Sequence, residues 1–212
     1  MKRYGVYLFD FDYTLADSSR GIVMCFRHVL ERHGYKGIDD HAIKRTIGKT
    51  LEEAFSILTG VEDAATLSLY RSEYVSHADG CMTANTRLFP ETARVLSALR
   101  ERGARTGIIS TKYRYRIMEF VDSVLPHGTF DIVIGCEDVR APKPSPEGLI
   151  MAARRLGVPT GDVLYAGDST VDAETAMAAG VDFMGVLHGM TTREELAAYP
   201  NVLIAEDLTA LL

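Results

Sequence analysis

Short, nearly unbroken apolar runs recur along the chain, at residues 6–9, 107–109, 132–134, 163–166, 183–186 and 202–204. None alternates apolar with polar positions. Each therefore predicts a β-strand covered on both faces, as in a parallel sheet, rather than one with a solvated side. From Pro90 onward the runs alternate with helical periodicity. In "PETARVLSALRERG", Val95, Leu96 and Leu99 share one face, Pro90 stands where a first helical residue is expected, and Gly103 follows as a stop. "STVDAETAMAAG" offers Ser169 or Thr170 as a cap, an Ala-rich body, and Gly180 at the end. Strands alternating with helices predict an α/β protein with a doubly wound parallel sheet.

The first part of the chain breaks this rhythm. After the opening strand, roughly 70 residues pass before the next one, far more than an ordinary crossover uses. The stretch is helical in pattern. "GIVMCFRHVLERHG" sets Ile22, Val23, Phe26, Val29 and Leu30 on one stripe, and "TLEEAFSILTG" opens with Thr50 three residues before Glu53 and closes at Gly60. A further helix is expected over residues 64–77. The reading is an inserted helical domain, residues 16–86, in a core made of residues 1–15 and 87–212, with linkers near residues 16–19 and 82–87.

Composition changes this picture little. A hydrophobic share of 47% with 25% charged residues is that of a soluble globular chain. The net charge of −6 argues against non-specific binding to nucleic acid or anionic membranes, and "TKYRYR" is better read as an amphipathic helix than as a nucleic-acid patch. Cys25, Cys81 and Cys136 are odd in number and scattered, which fits neither a disulfide framework nor a zinc site and suits a reducing compartment. The apolar run after Met1-Lys2-Arg3 is too short for a signal peptide and ends on Asp10, so the cytoplasm is expected.

The candidate chemistry lies at the carboxyl ends of the predicted strands, where open α/β sheets bind ligands. Asp10 and Asp12 repel each other unless a cation or proton lies between them, though a pair like this also caps turns. Ser110 and Thr111 are ordinary caps for a helix beginning near Lys112, and Lys143 in "APKPSP" reads alone as a solvated loop lysine. Asp168 and Asp172 bring two carboxylates to one side of a helix start, where capping explains one of them. Taken together they are parts for phosphoryl transfer: a carboxylate to attack phosphorus, acidic oxygens for magnesium, and hydroxyl and ammonium donors for the transferring group.

These motifs, "DFDYT", "IIST", "APKPSPEGL" and "AGDSTVDAETAMAAG" in that order with a helical insertion after the first, resemble the haloacid dehalogenase superfamily in its phosphoglycolate-phosphatase-like branch. The resemblance implies a Rossmann-like core with an all-helical cap. It implies Asp10 as nucleophile and Asp12 as general acid, then base. Magnesium would be held by Asp10, the backbone carbonyl of Asp12 and Asp168, with Asp172 behind it, and the phosphoryl group by Ser110, Thr111 and Lys143. A carboxylate at Asp12 argues against dehalogenase and phosphonatase chemistry, since a leaving alkoxide needs a proton. Asp12 must then point away from magnesium and Lys143. Tyr13 stands where the family usually has Gly; a positive φ would strain it, so an ordinary backbone with a packed ring is expected.

The cap should select the leaving group. Gly48-Lys49 in "RTIGKT" falls where the resembling family carries its specificity loop, and Lys49 is the candidate for an anionic group on the substrate. Arg20, Arg45 and Arg114 read as surface residues. The expected partner is a small phosphorylated metabolite, a phosphoglycolate-like ester or a sugar phosphate. A β-phosphoglucomutase-like mutase and an inorganic pyrophosphatase are the alternatives, and a phospho-acceptor signalling module is the reading from another class. The substrate and the oligomeric state are left open.

Overall fold

The computed structural model describes residues 2–212. Six strands, β1 (Val6–Phe9), β4 (Arg105–Ile109), β5 (Ile132–Ile134), β6 (Val163–Gly167), β7 (Asp182–Val186) and β8 (Leu203–Ala205), form one sheet in the order β5-β4-β1-β6-β7-β8. Every neighbouring pair is parallel. β1 is fully buried, and its side chains divide between the two faces. Val6 and Leu8 join Leu149 and Ala152 of α7 (Glu147–Leu156) and Ala173 and Ala176 of α8 (Thr170–Ala179). Phe9 joins Leu96 and Leu99 of α5 (Thr92–Glu101) and Phe120 of α6 (Arg114–Val124). That two-sided burial is why the strand reads as a continuous apolar run.

The helical insertion encloses an apolar cluster of its own. α1 (Ser19–Arg32), α2 (Asp40–Lys44), α3 (Leu51–Thr59) and α4 (Ala64–Asp79) surround Phe26, Val29, Ile43, Phe55, Tyr74 and Met82. The Phe26 ring lies 4.7 Å from Phe55 and 5.0 Å from Tyr74, centroid to centroid. Half of the capping box read at Thr50 and Glu53 forms, Thr50 accepting from the Glu53 amide while the Glu53 side chain pairs with Lys49, and Gly60 ends α3 at φ +75°.

Three expectations change in detail. The segments expected as linkers contain β2 (Ala16–Asp17) and β3 (Arg87–Leu88), which pair antiparallel, so the two passages between core and helices are hydrogen-bonded to each other. Pro90 lies in the turn before α5, which begins at Thr92. Tyr13 is a correction to the ordinary backbone expected there: its φ is +58°. The amides of Leu15 and Ala16 both donate to the Phe11 carbonyl, at 3.0 and 3.1 Å. This tight loop takes the chain from β1 into β2 and puts Tyr13 in the left-handed region, where a buried ring offsets the strain.

Candidate active site

At the carboxyl edge of β1, β4 and β6 the candidate residues converge. Asp10 follows β1 directly, Ser110 follows β4, and Asp168 follows β6; all three are buried. Oxygens of Asp10, Asp168 and Asp172 lie within 4.8 Å of one another. Lys143 is no solvated lysine: its side chain is 4% exposed, 2.6 Å from Asp172 Oδ1 and 3.0 Å from Asp10 Oδ1. Lys143 thus bridges the two carboxylates, and no other donor reaches Asp10 Oδ1.

The three carboxylates differ in what already satisfies them. Ser169 caps α8 and shares a capping box with Asp172, whose Oδ2 accepts from the Ser169 amide and hydroxyl at 3.1 and 2.6 Å. Asp172 Oδ1 accepts from Lys143, and the Tyr165 hydroxyl stands 2.8 Å away. Asp172 is therefore fully subscribed and orients Lys143, whereas Asp10 retains an oxygen with unused lone pairs. Burial pushes the Asp10 carboxyl up to about 7 against the pull of Lys143. Burial, then Asp172 and Asp10, raises Asp168 well above the carboxylate range. Burial lowers the Lys143 ammonium, but Asp10 and Asp172 outweigh it and the net shift is upward. A buried cluster of three carboxylates with one lysine between them, richer in anions than in cations, fits a hard divalent cation. Family members of this kind generally use a divalent metal.

Asp12 lies apart from this cluster. Its Oδ1 accepts from Lys112 Nζ at 2.7 Å and from the Ser18 hydroxyl. Lys112 is itself largely buried and stands 5.5 Å from the centre of the Phe11 ring. The side chain expected to point away from Lys143 thus has a different lysine as its partner.

Ser110 and Thr111 do not cap a helix: α6 starts at Arg114 with Tyr113 at its cap position and no side-chain capping bond. Ser110 Oγ accepts from the Lys112 amide at 3.3 Å, while the Thr111 hydroxyl reaches the Gly48 carbonyl at 3.1 Å. The Gly48 loop between α2 and α3 accordingly sits over the site. Lys49 pairs with Glu53 at 2.6 Å and, with Tyr13, Asp168 and Ser169, borders a cavity of about 110 Å³. Arg45 binds Glu195 and the Met190 carbonyl, tying the helices to the core; Arg20 is exposed, and Arg114 pairs with Asp138 at the surface.

Sequence reasoning missed Lys112, Ser18, Tyr165 and Arg116. Arg116 is buried under α4, donating to the Ala78 carbonyl at 3.0 Å and to Asp79. The one available signal was polarity in an apolar setting: Tyr165 inside the "VLYAG" strand and Arg116 on the inner face of α6. Gly189 was also passed over, although a Cβ there would collide with the Asp168 carboxylate.

The sheet and its edge define an α/β protein with a buried acidic site at the carboxyl ends of its strands. Residues 7–186 match the family model for haloacid dehalogenase-like hydrolases, and the chain belongs to that family. IndB of Dickeya dadantii, described as a probable phosphatase, is 30% identical over 201 residues, covering 93% of this chain and 87% of that one. Pyrophosphatase PpaX of Bacillus velezensis is 28% identical over 211 residues, covering 100% and 96%. Phosphoglycolate phosphatase of Yersinia pestis is 28% identical, covering 93% and 87%. A crystal structure from Bacteroides fragilis, described as a haloacid dehalogenase-like hydrolase, superposes with a TM-score of 0.98 at 61% identity, covering 99% and 100%. Within the family the chain is a phosphatase.

Proposed function

We propose that the chain is a magnesium-dependent phosphatase that hydrolyses a phosphate monoester through an aspartyl-phosphate on Asp10, with residues 16–86 acting as its cap domain. The observation that carries this reading is the division of labour between the two aspartates. Asp10 Oδ1, in the buried acidic cluster, meets only the Lys143 charge, and Asp12 is held separately by Lys112 and Ser18. One carboxylate is left to attack while the other is free of the cluster to exchange protons.

Magnesium would be held by Asp10, the backbone carbonyl of Asp12 and Asp168, with Asp172 supporting them; when bound it supplies neutralisation of charge on the phosphoryl oxygens. Ser110 and Lys143, at the same strand edge, bind and orient the phosphoryl group. An Asp10 oxygen forms a bond to phosphorus as the ester oxygen leaves, and the protonated Asp12 gives its proton to that alkoxide. Asp12, now a carboxylate, takes a proton from water, whose oxygen bonds to phosphorus as the bond to Asp10 breaks. Inorganic phosphate and the original Asp10 result. The Gly48 loop, docked on Thr111, excludes bulk water during both halves.

The test is phosphate release from phosphoglycolate, sugar phosphates, nucleotides and pyrophosphate, with magnesium and with chelator. Asp10→Asn should lower kcat by roughly a thousandfold or more. Wild-type-like turnover in that variant overturns the assignment of the nucleophile, and an isomeric sugar phosphate in place of free phosphate would move the reading to the mutase.

A further inference from the structure

Resting on that reading, we infer that the leaving group this enzyme selects is a bulky apolar alcohol, about the size of a ring system, rather than glycolate or a second phosphate. The evidence is the partly open cavity between the helical insertion and the core. Its volume is about 330 Å³, and Asp12, Thr111 and Lys112 form its floor. Asp10, Ser110 and Lys143 do not line it, so the space lies beyond the phosphoryl position, on the side where Asp12 would protonate a leaving group. An apolar cavity of about 150 Å³ accommodates benzene, so one roughly twice that size is far too large for a two-carbon acid.

One part of its wall is apolar. Ile22 and Phe26 of α1, Ala54 of α3, and Tyr74, Val75 and Ala78 of α4 face the space. Four of the five cations that line it have an acidic partner. Lys112 is paired with Asp12, and Arg116 with Asp79 and the Ala78 carbonyl. At the outer edge Lys49 is paired with Glu53 and Arg71 with Glu52. Arg140 lines the cavity too, but it is exposed. A hydrocarbon surface entering between Ile22, Phe26, Ala54 and Ala78 would lose only unfavourable hydration.

The experiment compares esters that share a primary alkoxide leaving group, so that intrinsic reactivity stays nearly constant and the cavity alone discriminates. Hydrolysis of 2-phenylethyl phosphate, ethyl phosphate and phosphoglycolate is measured with magnesium by phosphate release. The expected kcat/KM for the phenylethyl ester exceeds that of both others by at least tenfold. Val75→Phe, which fills part of the space, should cut the phenylethyl-to-ethyl ratio by at least fivefold. As a measurement independent of that variant, 2-phenylethanol should inhibit the wild-type enzyme competitively at concentrations where ethanol and glycolate do not. Ethyl phosphate or phosphoglycolate turned over as well as the phenylethyl ester, or an unchanged ratio in a folded Val75→Phe, overturns the apolar leaving group and leaves the phosphatase intact. No release from any ester, including those of the broader panel, overturns the phosphatase mechanism itself.

Discussion

Replacing Lys143 by Met tests the electrostatics of the site without touching the nucleophile. Lys143 is buried and sits between Asp10 at 3.0 Å and Asp172 at 2.6 Å, and these two are 1% and 0% exposed. Methionine keeps an unbranched chain of similar length but leaves three carboxylates facing one another with no cation. Removing one partner of a buried ion pair costs about 3–5 kcal/mol, a large share of a total stability of about 5–15 kcal/mol. For a chain of this size that corresponds to a loss of roughly 6–20 °C in Tm. The cost has a sign in pH. A carboxyl whose folded pKa is raised leaves the native state holding more protons than the unfolded one between the two values, so stability falls as pH rises through that window. Asp10 already stands at about 7 with Lys143 present, and its loss raises it further. Urea denaturation in chelator should therefore give a difference between wild type and Lys143→Met of about 3–5 kcal/mol at pH 8, and one smaller by about 1.5 kcal/mol or more at pH 5. Adding Asp172→Asn should recover part of it, because both members of the closer pair are then uncharged. A difference below about 1 kcal/mol at pH 8, or one independent of pH, would refute the view that Lys143 holds this acidic cluster together.

Two further outcomes follow from the same geometry. Because burial holds Asp10 at about 7, protons compete with a cation for it: the magnesium concentration giving half-maximal activity should rise as pH falls below 7, approaching about tenfold per unit, and a flat requirement between about pH 5.5 and 7.5 would contradict this. Tyr13→Gly relieves a left-handed backbone worth about 1–2 kcal/mol but deletes a buried ring worth about 3–5, so thermal denaturation should show a net loss of about 1–4 kcal/mol. A more stable variant would mean that the strain outweighs the packing.

What the sequence made legible was whatever local chemistry dictates. Strands buried on both faces announce themselves as unbroken apolar runs, and the residues directly after them, Asp10, Ser110 and Asp168, inherit their place at the sheet edge from the strands. The caps at Thr50, Gly60 and Ser169 were equally local. Lys143 was legible only as a member of the set, since "APKPSP" taken alone describes a solvated loop, and its burial depends on Asp10 and Asp172 arriving from distant segments. Lys112 and Arg116 were illegible for the same reason: nothing beside them in the chain reveals that Asp12 or the end of α4 will be their partner. Tyr13 misled because the steric rule for positive φ was applied without the opposing contribution of its buried ring.

Several of the hydrogen bonds between the helices and the core end on main-chain acceptors. Thr111 donates to the Gly48 carbonyl, Arg45 to that of Met190, and Arg116 to that of Ala78. A carbonyl oxygen is present whatever side chain its residue carries. Ala78 and Gly48 both border the large cavity, and both contribute to docking through atoms that mutation does not alter. The surface that grips and the surface that selects therefore coincide in space yet are separately variable. Side chains facing the cavity can be exchanged, changing what fits, without removing the acceptors that dock the helices on the core.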